Sequence, residues 1–263
     1  MHIYSLVMRM LKEERYQKIV DFVNRKSAVT VDELCEKFHI SQPTISRDLQ
    51  VLNNTGRLIK TYGGAVSHST GMATEPSFTY RKTQFTDEKQ RIARKAIEYI
   101  RSGETIILDS GTTTFWIAEL LGEIENLNIW TNDFYIALEL LNHKNIDITM
   151  LGGRLRRKYF NTMGVLTNQL MKNIHVDRLF VGVDAIDVEG GLMVYSTEEA
   201  ELKRMMIEKS KETIVVCDHS KFEKMALMRI SPIEDIQRII TGKETDNQTI
   251  DIIRKLKVDV EVV

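Results

Sequence analysis

Thr105-Ile106-Ile107-Leu108-Asp109-Ser110-Gly111-Thr112-Thr113-Thr114 is the stretch that decides the fold. Its first four residues are apolar or β-branched with no polar alternation, the pattern of a strand buried on both faces. A small, hydroxyl-rich turn follows, and then a segment with Ile117, Leu120 and Leu121 at helical spacing. A strand that runs directly into a helix is the repeating unit of a parallel α/β sheet.

The same alternation extends in both directions. Strands are expected at Leu127–Trp130, Ile146–Leu151, Arg178–Val183, Thr213–Cys217, Arg238–Thr241 and Val258–Val263. Helices are expected at Glu88–Ser102, closed by Gly103, and around Phe134–Asn142, Thr197–Lys209 and Gln248–Leu256. Ligands of such sheets bind beyond the carboxyl ends of the strands. There the chain places Asp109, Ser110, Gly111, Thr112 and Thr113, then Thr131 and Asn132, Gly152 and Gly153, Asp184, and Asp218 through Lys221. Hydroxyls, amides and carboxylates gathered on one rim suit a polyhydroxylated, phosphorylated ligand. A helix start can hold the phosphate, and Lys221 can oppose it as a point charge. For Ser-Gly-Thr-Thr alone, an ordinary helix-capping turn is the plainer reading. No GxGxxG or GxxxxGK[ST] occurs, so dinucleotide and P-loop chemistry have no motif here.

Upstream lies a different kind of chain. Glu13–Lys26 carries Ile19, Phe22 and Val23 on one helical face. Thr30-Val31-Asp32-Glu33 has the form of a capping box and opens a helix to about His39. Ser41 offers the next N-cap, with Pro43 in the first turn, and the third helix runs to about Asn54 with Ile45, Leu49 and Leu52 inward. Two short helices joined by a tight turn, the second presenting Gln42, Thr44, Ser46 and Arg47, make a helix-turn-helix pattern for double-stranded DNA. Gly56 through Val66 reads as strand, Gly63-Gly64 turn and strand, a wing whose Arg57 and Lys60 would reach phosphates. A small helical domain with a solvated polar face is the plainer alternative.

Composition agrees with two modules. The 263 residues carry 36 Lys and Arg against 37 Asp and Glu, but residues 1–70 hold ten basic and seven acidic side chains, leaving the remainder acidic. A basic head on an acidic body fits a nucleic-acid module joined to something else. At 43% hydrophobic the chain has material for a packed core, which excludes a disordered tail or a coiled-coil rod. No run approaches the roughly 18–20 apolar residues of a membrane span. Cys35 and Cys217 lie far apart with no metal-ligand spacing, so reduced thiols in a cytoplasmic protein, with no metal and no cofactor, are expected. The boundaries read from these patterns are 10–68 for a winged helix-turn-helix, 69–86 for a linker, and 87–263 for an α/β domain with a mainly parallel sheet. Met1, Met8 and Met10 are each plausible starts.

Taken in order, these pieces resemble the DeoR-type bacterial transcriptional regulators. The head match is Arg15-x-x-x-Ile19, Val31-x-x-Leu34, Phe38-x-Ile40-Ser41-x-x-Thr44-Ile45-x-Arg47-Asp48-Leu49 and Gly56-x-Leu58 leading to Gly63-Gly64-Ala65. The body match is Glu75-x-x-Phe78-x-x-Arg81, Glu88-Lys89-x-x-Ile92-Ala93, Asp109-Ser110-Gly111-Thr112-Thr113, Thr131-Asn132, Leu151-Gly152-Gly153, Gly182-x-Asp184, Glu199-Ala200 and Asp218-x-Ser220-Lys221. The resemblance implies a winged helix-turn-helix followed by a sensor domain similar to ribose-5-phosphate isomerase. It also implies repression of a carbohydrate-use operon, relieved by a phosphorylated sugar, by a homodimer or homotetramer. On it, Ser41, Gln42, Thr44, Ser46, Arg47, Arg57, Lys60 and Tyr62 are the candidate DNA contacts. The candidate effector contacts are Asp109, Ser110, Gly111, Thr112, Thr113, Thr131, Asn132, Gly152, Gly153, Asp184, Glu199, Lys203 and Lys221.

The sequence departs from the family at Ser46, where a second arginine is common. It also departs at Lys60 and Tyr62, where the family has arginine and histidine, and over Met193–Thr197. Glu199 and Lys203, four apart, could equally be a surface helix pair. The competing reading is a sugar-phosphate isomerase with an appended DNA-binding domain, in which Asp109, Asp184, Glu199 and Lys221 would do acid–base work.

Overall fold

A computed structural model describes residues 12–26, 28–67 and 75–263. The chain divides into two units between Tyr80 and Arg81.

The first unit begins with helix α1 (Lys12–Lys26), strand β1 (Ala28–Thr30), helix α2 (Val31–Phe38) and helix α3 (Gln42–Asn54). The Thr30–Glu33 capping box is present in both directions and fixes the start of α2. Strands β2 (Ile59–Thr61) and β3 (Gly64–Val66) form the expected wing, and β1, which sequence reading did not expect, joins it in the order β1-β3-β2. Gly64 has to be glycine, because a Cβ there would lie 2.2 Å from the Val29 carbonyl oxygen across that pairing. Ile19, Val20, Val23, Leu34, Ile45, Leu49, Leu52 and Leu58 are fully buried in the small core.

The expected linker at 69–86 needs correction. Residues 68–74 lie outside the described residues, as do residues 1–11 with the alternative starts. Phe78–Thr83 is helical (α4), and Ser77 begins it by accepting a hydrogen bond from the Tyr80 amide while donating to the Thr55 carbonyl. The next helix, α5 (Thr86–Ile97), starts two residues earlier and ends sooner than its periodicity suggested.

The second unit alternates β4 (Thr105–Leu108), α6 (Thr112–Leu120), β5 (Leu127–Thr131), α7 (Phe134–Leu140) and β6 (Ile146–Met150). A hairpin, β7 (Arg154–Arg156) and β8 (Asn161–Met163), and helix α8 (Val165–Met171) precede β9 (Val176–Val181). Then come β10 (Ala185–Asp187), β11 (Gly191–Val194), α9 (Thr197–Glu208), β12 (Ser210–Val216), β13 (Met228–Ser231), β14 (Arg238–Thr241), α10 (Asn247–Lys255) and β15 (Asp259–Val262). Seven strands form one parallel sheet in the order β15-β14-β12-β9-β4-β5-β6. They are the seven strands expected from the apolar runs. Ile106, Leu108, Phe180, Ile214, Val216 and Ile240 face one apolar cluster with α5, α6 and α7. Ile107, Leu179, Val181, Val215 and Ile239 face the other, with α8, α9 and α10. Double-sided burial is why these strands lack polar alternation.

The strand order has a reversal. From β4 the chain moves outward through β5 to β6, then returns to β9 on the other side of β4 and proceeds through β12 to β15. Such a switch leaves a crevice beyond the carboxyl ends of β4 and β9. Among the described residues no helix is long and apolar enough to cross a membrane.

Candidate functional site

In the first unit, α3 presents Gln42, Pro43, Arg47, Gln50 and Asn54 to solvent, opposite buried Ile45, Asp48, Leu49 and Leu52. Thr44 and Ser46 are half-buried beside that face. Ser41 is the N-cap by backbone, but its hydroxyl pairs with the Thr44 hydroxyl at 3.1 Å instead of capping an amide. Asp48 is buried because Arg15 of α1 grips it with two hydrogen bonds of 2.6 and 3.1 Å. Arg47 makes no side-chain hydrogen bond or ion pair among the described residues. Tyr62 stands fully exposed at the wing turn. Lys60 lies against α3, its amide donating to Asn53 Oδ1 at 2.9 Å and its ammonium to Gln50 Oε1 at 3.1 Å.

Arg57 does not face outward as expected. Its side chain is 8% exposed, and it donates to Glu13 Oε1 at 2.6 Å and Gln17 Oε1 at 2.7 Å, with its guanidinium near the Tyr80 ring. The reason is backbone geometry. Gly56 takes φ +71 and the strand begins only at Ile59, so strand alternation does not govern Arg57. Glu13 and Gln17, four apart on α1, supply the two partners from one helix face.

In the second unit the crevice between β4 and β9 is a pocket. Its walls are Ser110–Thr114 after β4, Gly182–Asp184 after β9, Cys217, Asp218 and Lys221 after β12, and Arg81, Glu199 and Lys203. Of the expected effector residues, Ser110, Gly111, Thr112, Thr113, Asp184, Glu199, Lys203 and Lys221 line it together.

Asp109 lies buried beneath, accepting from the Gly182 amide at 3.1 Å and from the Lys203 ammonium. Thr131 and Asn132 do not line the pocket. The Thr131 hydroxyl accepts from the Asp133 amide, and Asn132 braces the floor by accepting from Ser110 N at 3.2 Å and donating to Thr162 O at 3.1 Å. Gly152 and Gly153 are exposed and also stand outside the lining.

Glu199 and Lys203 are not a surface pair, being 4% and 2% exposed. Burial alone pushes the Lys203 ammonium toward neutrality, but Asp109 and Glu199 (3.4 Å away) outweigh it and hold its pKa above the usual lysine value. Glu199 also meets Arg156 at 3.2 Å, and Asp184 meets Arg81 at 3.3 Å and accepts from the Tyr195 amide at 3.4 Å. Beside them Lys89 donates to the Arg81 and Gln84 carbonyls and lies 3.7 Å from Asp218; burial pushes its pKa down to about 8. Asp109, Asp184, Glu199 and Asp218 thus stand interleaved with Arg81, Lys89, Arg156, Lys203 and Lys221. The Lys221 ammonium makes no hydrogen bond or ion pair among the described residues. No side chain caps α6 at Gly111, so the first amides of that helix, which have no partner inside it, also face the pocket. The charges deep in the site are paired with one another, and what it offers an anion is the helix amides and the Lys221 ammonium.

Sequence reading missed Arg81 and Arg156. Arg81 sat in the quoted Glu75-x-x-Phe78-x-x-Arg81 pattern. Arg156 is carried by the β7–β8 hairpin, which has no strand-length apolar run to announce it.

Comparison with known proteins gives matches along most of the chain. Residues 15–71 match a DeoR-like helix-turn-helix domain, and residues 84–243 match the DeoR C terminal sensor domain. An uncharacterized helix-turn-helix-type transcriptional regulator of Bacillus subtilis, YulB, is 36% identical over 97% of this chain and 98% of its own length. A putative aga operon transcriptional repressor of Escherichia coli O157:H7 is 36% identical over 95% and 93%. The glycerol-3-phosphate regulon repressor of Escherichia coli K12 is 33% identical over 88% and 91%. Among solved structures, a D-ribose-5-phosphate isomerase in complex with phospho-erythronic acid is 20% identical over 52% of this chain and 54% of that one, with a TM-score of 0.39.

Proposed function

We propose that this chain, which belongs to the DeoR family of transcriptional regulators, represses a carbohydrate-use operon and leaves its operator when a phosphorylated sugar binds the second unit. It is a DNA-binding regulator and not an enzyme, so the isomerase reading is set aside. The observation that carries the effector proposal is that Lys221 and the uncapped first turn of α6 line one pocket. A phosphate dianion there accepts the helix amides and the ammonium, while hydroxyls of the sugar exchange hydrogen bonds with the paired carboxylates Asp184 and Glu199. On the DNA side, Ser41, Gln42, Thr44, Ser46, Arg47 and Tyr62 form the contact surface, with Lys60 beside them. Two copies supply two heads for two half-sites, as a homodimer or homotetramer in the cytoplasm.

Release requires that the sugar phosphate bind the DNA-free arrangement more tightly than the DNA-bound one. The test is a melting-temperature screen of the full chain against aldose and ketose phosphates, with inorganic phosphate and the unphosphorylated sugars as controls. The same compounds are then added to a gel shift on the duplex upstream of the protein's own gene. One sugar phosphate should raise the melting temperature with the logarithm of its concentration and dissociate the duplex. A protein that no sugar phosphate stabilises, or that isomerises one at enzymatic rates after residues 1–70 are removed, would contradict this function.

A further inference from the structure

The outward stripe of α3 contains one side chain whose orientation the protein itself sets. Pro43, Arg47, Gln50 and Asn54 recur at helical spacing and are all exposed. Gln50 is held from both sides: Lys60 Nζ lies 3.1 Å from its Oε1, and its Nε2 donates to Asn54 Oδ1 at 3.0 Å. An ammonium can only donate, so the atom facing Lys60 must be the amide oxygen and the atom facing Asn54 the amide nitrogen. Lys60 is fixed in turn, since its own backbone amide is held by Asn53 Oδ1 at 2.9 Å. After these bonds Gln50 has one free N–H and one free oxygen lone pair, side by side on an exposed amide.

We propose that Gln50 reads an adenine in the major groove, next to the base met by Arg47, and that Lys60 and Asn54 are positioning residues which hold its amide for that contact. The inference rests on the DNA-binding reading of the first unit. Adenine offers the complement of a paired donor and acceptor, an N7 acceptor beside an N6 donor. Guanine offers two acceptors, O6 and N7, one of which would face the Gln50 oxygen. Cytosine offers a lone amino donor, and thymine a carbonyl beside a methyl group. Arg47, unpaired and one turn away, presents donors only and suits guanine. Lys60, which commits one of its three N–H donors to Gln50, is thereby part of the base-reading apparatus and not only a flanking phosphate contact.

The experiment selects binding sites from a randomised duplex library with the full-length protein and its Gln50→Ala, Lys60→Met and Lys60→Arg variants. Circular dichroism and melting confirm that each is folded. The wild type should prefer adenine at one position of each half-site by about tenfold or more, as a bidentate contact does. Gln50→Ala should lose that preference and keep the others. Adenine lacking N7 at that position should weaken the wild type and leave Gln50→Ala unaffected. Lys60→Met should relax the same position, and Lys60→Arg should restore it. An unchanged preference in Gln50→Ala would overturn the assignment. So would a Lys60→Met variant that binds all sequences more weakly with base preference intact and a salt slope lower by about one, the mark of a phosphate contact. A wild type that selects no duplex at all would instead overturn the underlying DNA-binding reading.

Discussion

On the outer face of α3, Arg47 is exposed and unpaired among the described residues, whereas in the pocket Lys203 is 2% exposed and meets two carboxylates. Both are cations placed in the proposed binding surfaces, and the difference follows from what each would bind. A DNA backbone is a large surface that brings many charges at once, so the head can leave its cations hydrated until they meet it. A single small anion cannot repay the desolvation of several unpaired charges. The second unit pairs its buried cations with carboxylates, and among the described residues the Lys221 ammonium makes no hydrogen bond or close ion pair. Arg57 crosses between the two classes: it sits in the DNA-binding unit but is built like a sensor residue, buried and paired.

Lys203→Met is the most severe test of this contrast. It strands Asp109 and Glu199 in the interior, and unfolding of the sensor in urea should show a loss of about 3–5 kcal/mol. A loss under about 1 kcal/mol would mean the pocket charges are not interdependent.

Arg57→Ala and Arg47→Ala form a matched pair within the head. The first should cost roughly 1–3 kcal/mol of head stability by removing the partner of Gln17 and Glu13. The second should leave stability within about 0.5 kcal/mol and weaken operator binding in a gel shift. If the two exchanged behaviour, Arg57 would be the DNA contact after all.

Lys221→Ala should change melting little in the absence of ligand, yet abolish the upward shift given by the sugar phosphate found in the screen. Retention of that shift would remove Lys221 from the anion site.

The smallest effect concerns Asp133, the N-cap of α7, whose carboxylate accepts from the Tyr135 and Ile136 amides. Burial pushes its pKa up to about 7, against those hydrogen bonds, and Asp109 adds to the rise. The folded protein then holds a proton that the unfolded chain releases above the ordinary aspartate range. Stability from this group is present at low pH and is lost as pH rises through about 7. Asp133→Asn keeps the cap and should flatten that pH dependence, gaining on the order of 1 kcal/mol at pH 8 in chemical denaturation. An unchanged pH profile would show that Asp133 titrates in the ordinary range.

How much of this was legible depended on whether a residue's role is local. The Thr30–Glu33 capping box, the inward face of α3 and the seven apolar strands were readable, because capping and burial periodicity are set by neighbours a few residues away. The α5 boundary was misplaced because its pattern continues into turns, and the linker reading missed α4, which Ser77 starts through a contact with Thr55. Arg57 was misassigned because one glycine with positive φ changes which way the next side chain points. Thr131 and Asn132 looked like ligand residues by type, but their hydrogen bonds are consumed by Asp133, Ser110 and Thr162.

Sequence alone determined the class of the protein: a winged helix-turn-helix, a parallel α/β domain, and the chemical types gathered at the strand ends. Only the tertiary structure decided which of those strand ends meet. The chain returns from β6 to place β9 beside β4, so Ser110–Thr114 and Gly182–Asp184 share one crevice, while Gly152 and Gly153 are left outside it. Strand order is set by long-range packing and not by local propensity. For the same reason the partners of Lys203, 94 residues from Asp109, could not be read from spacing.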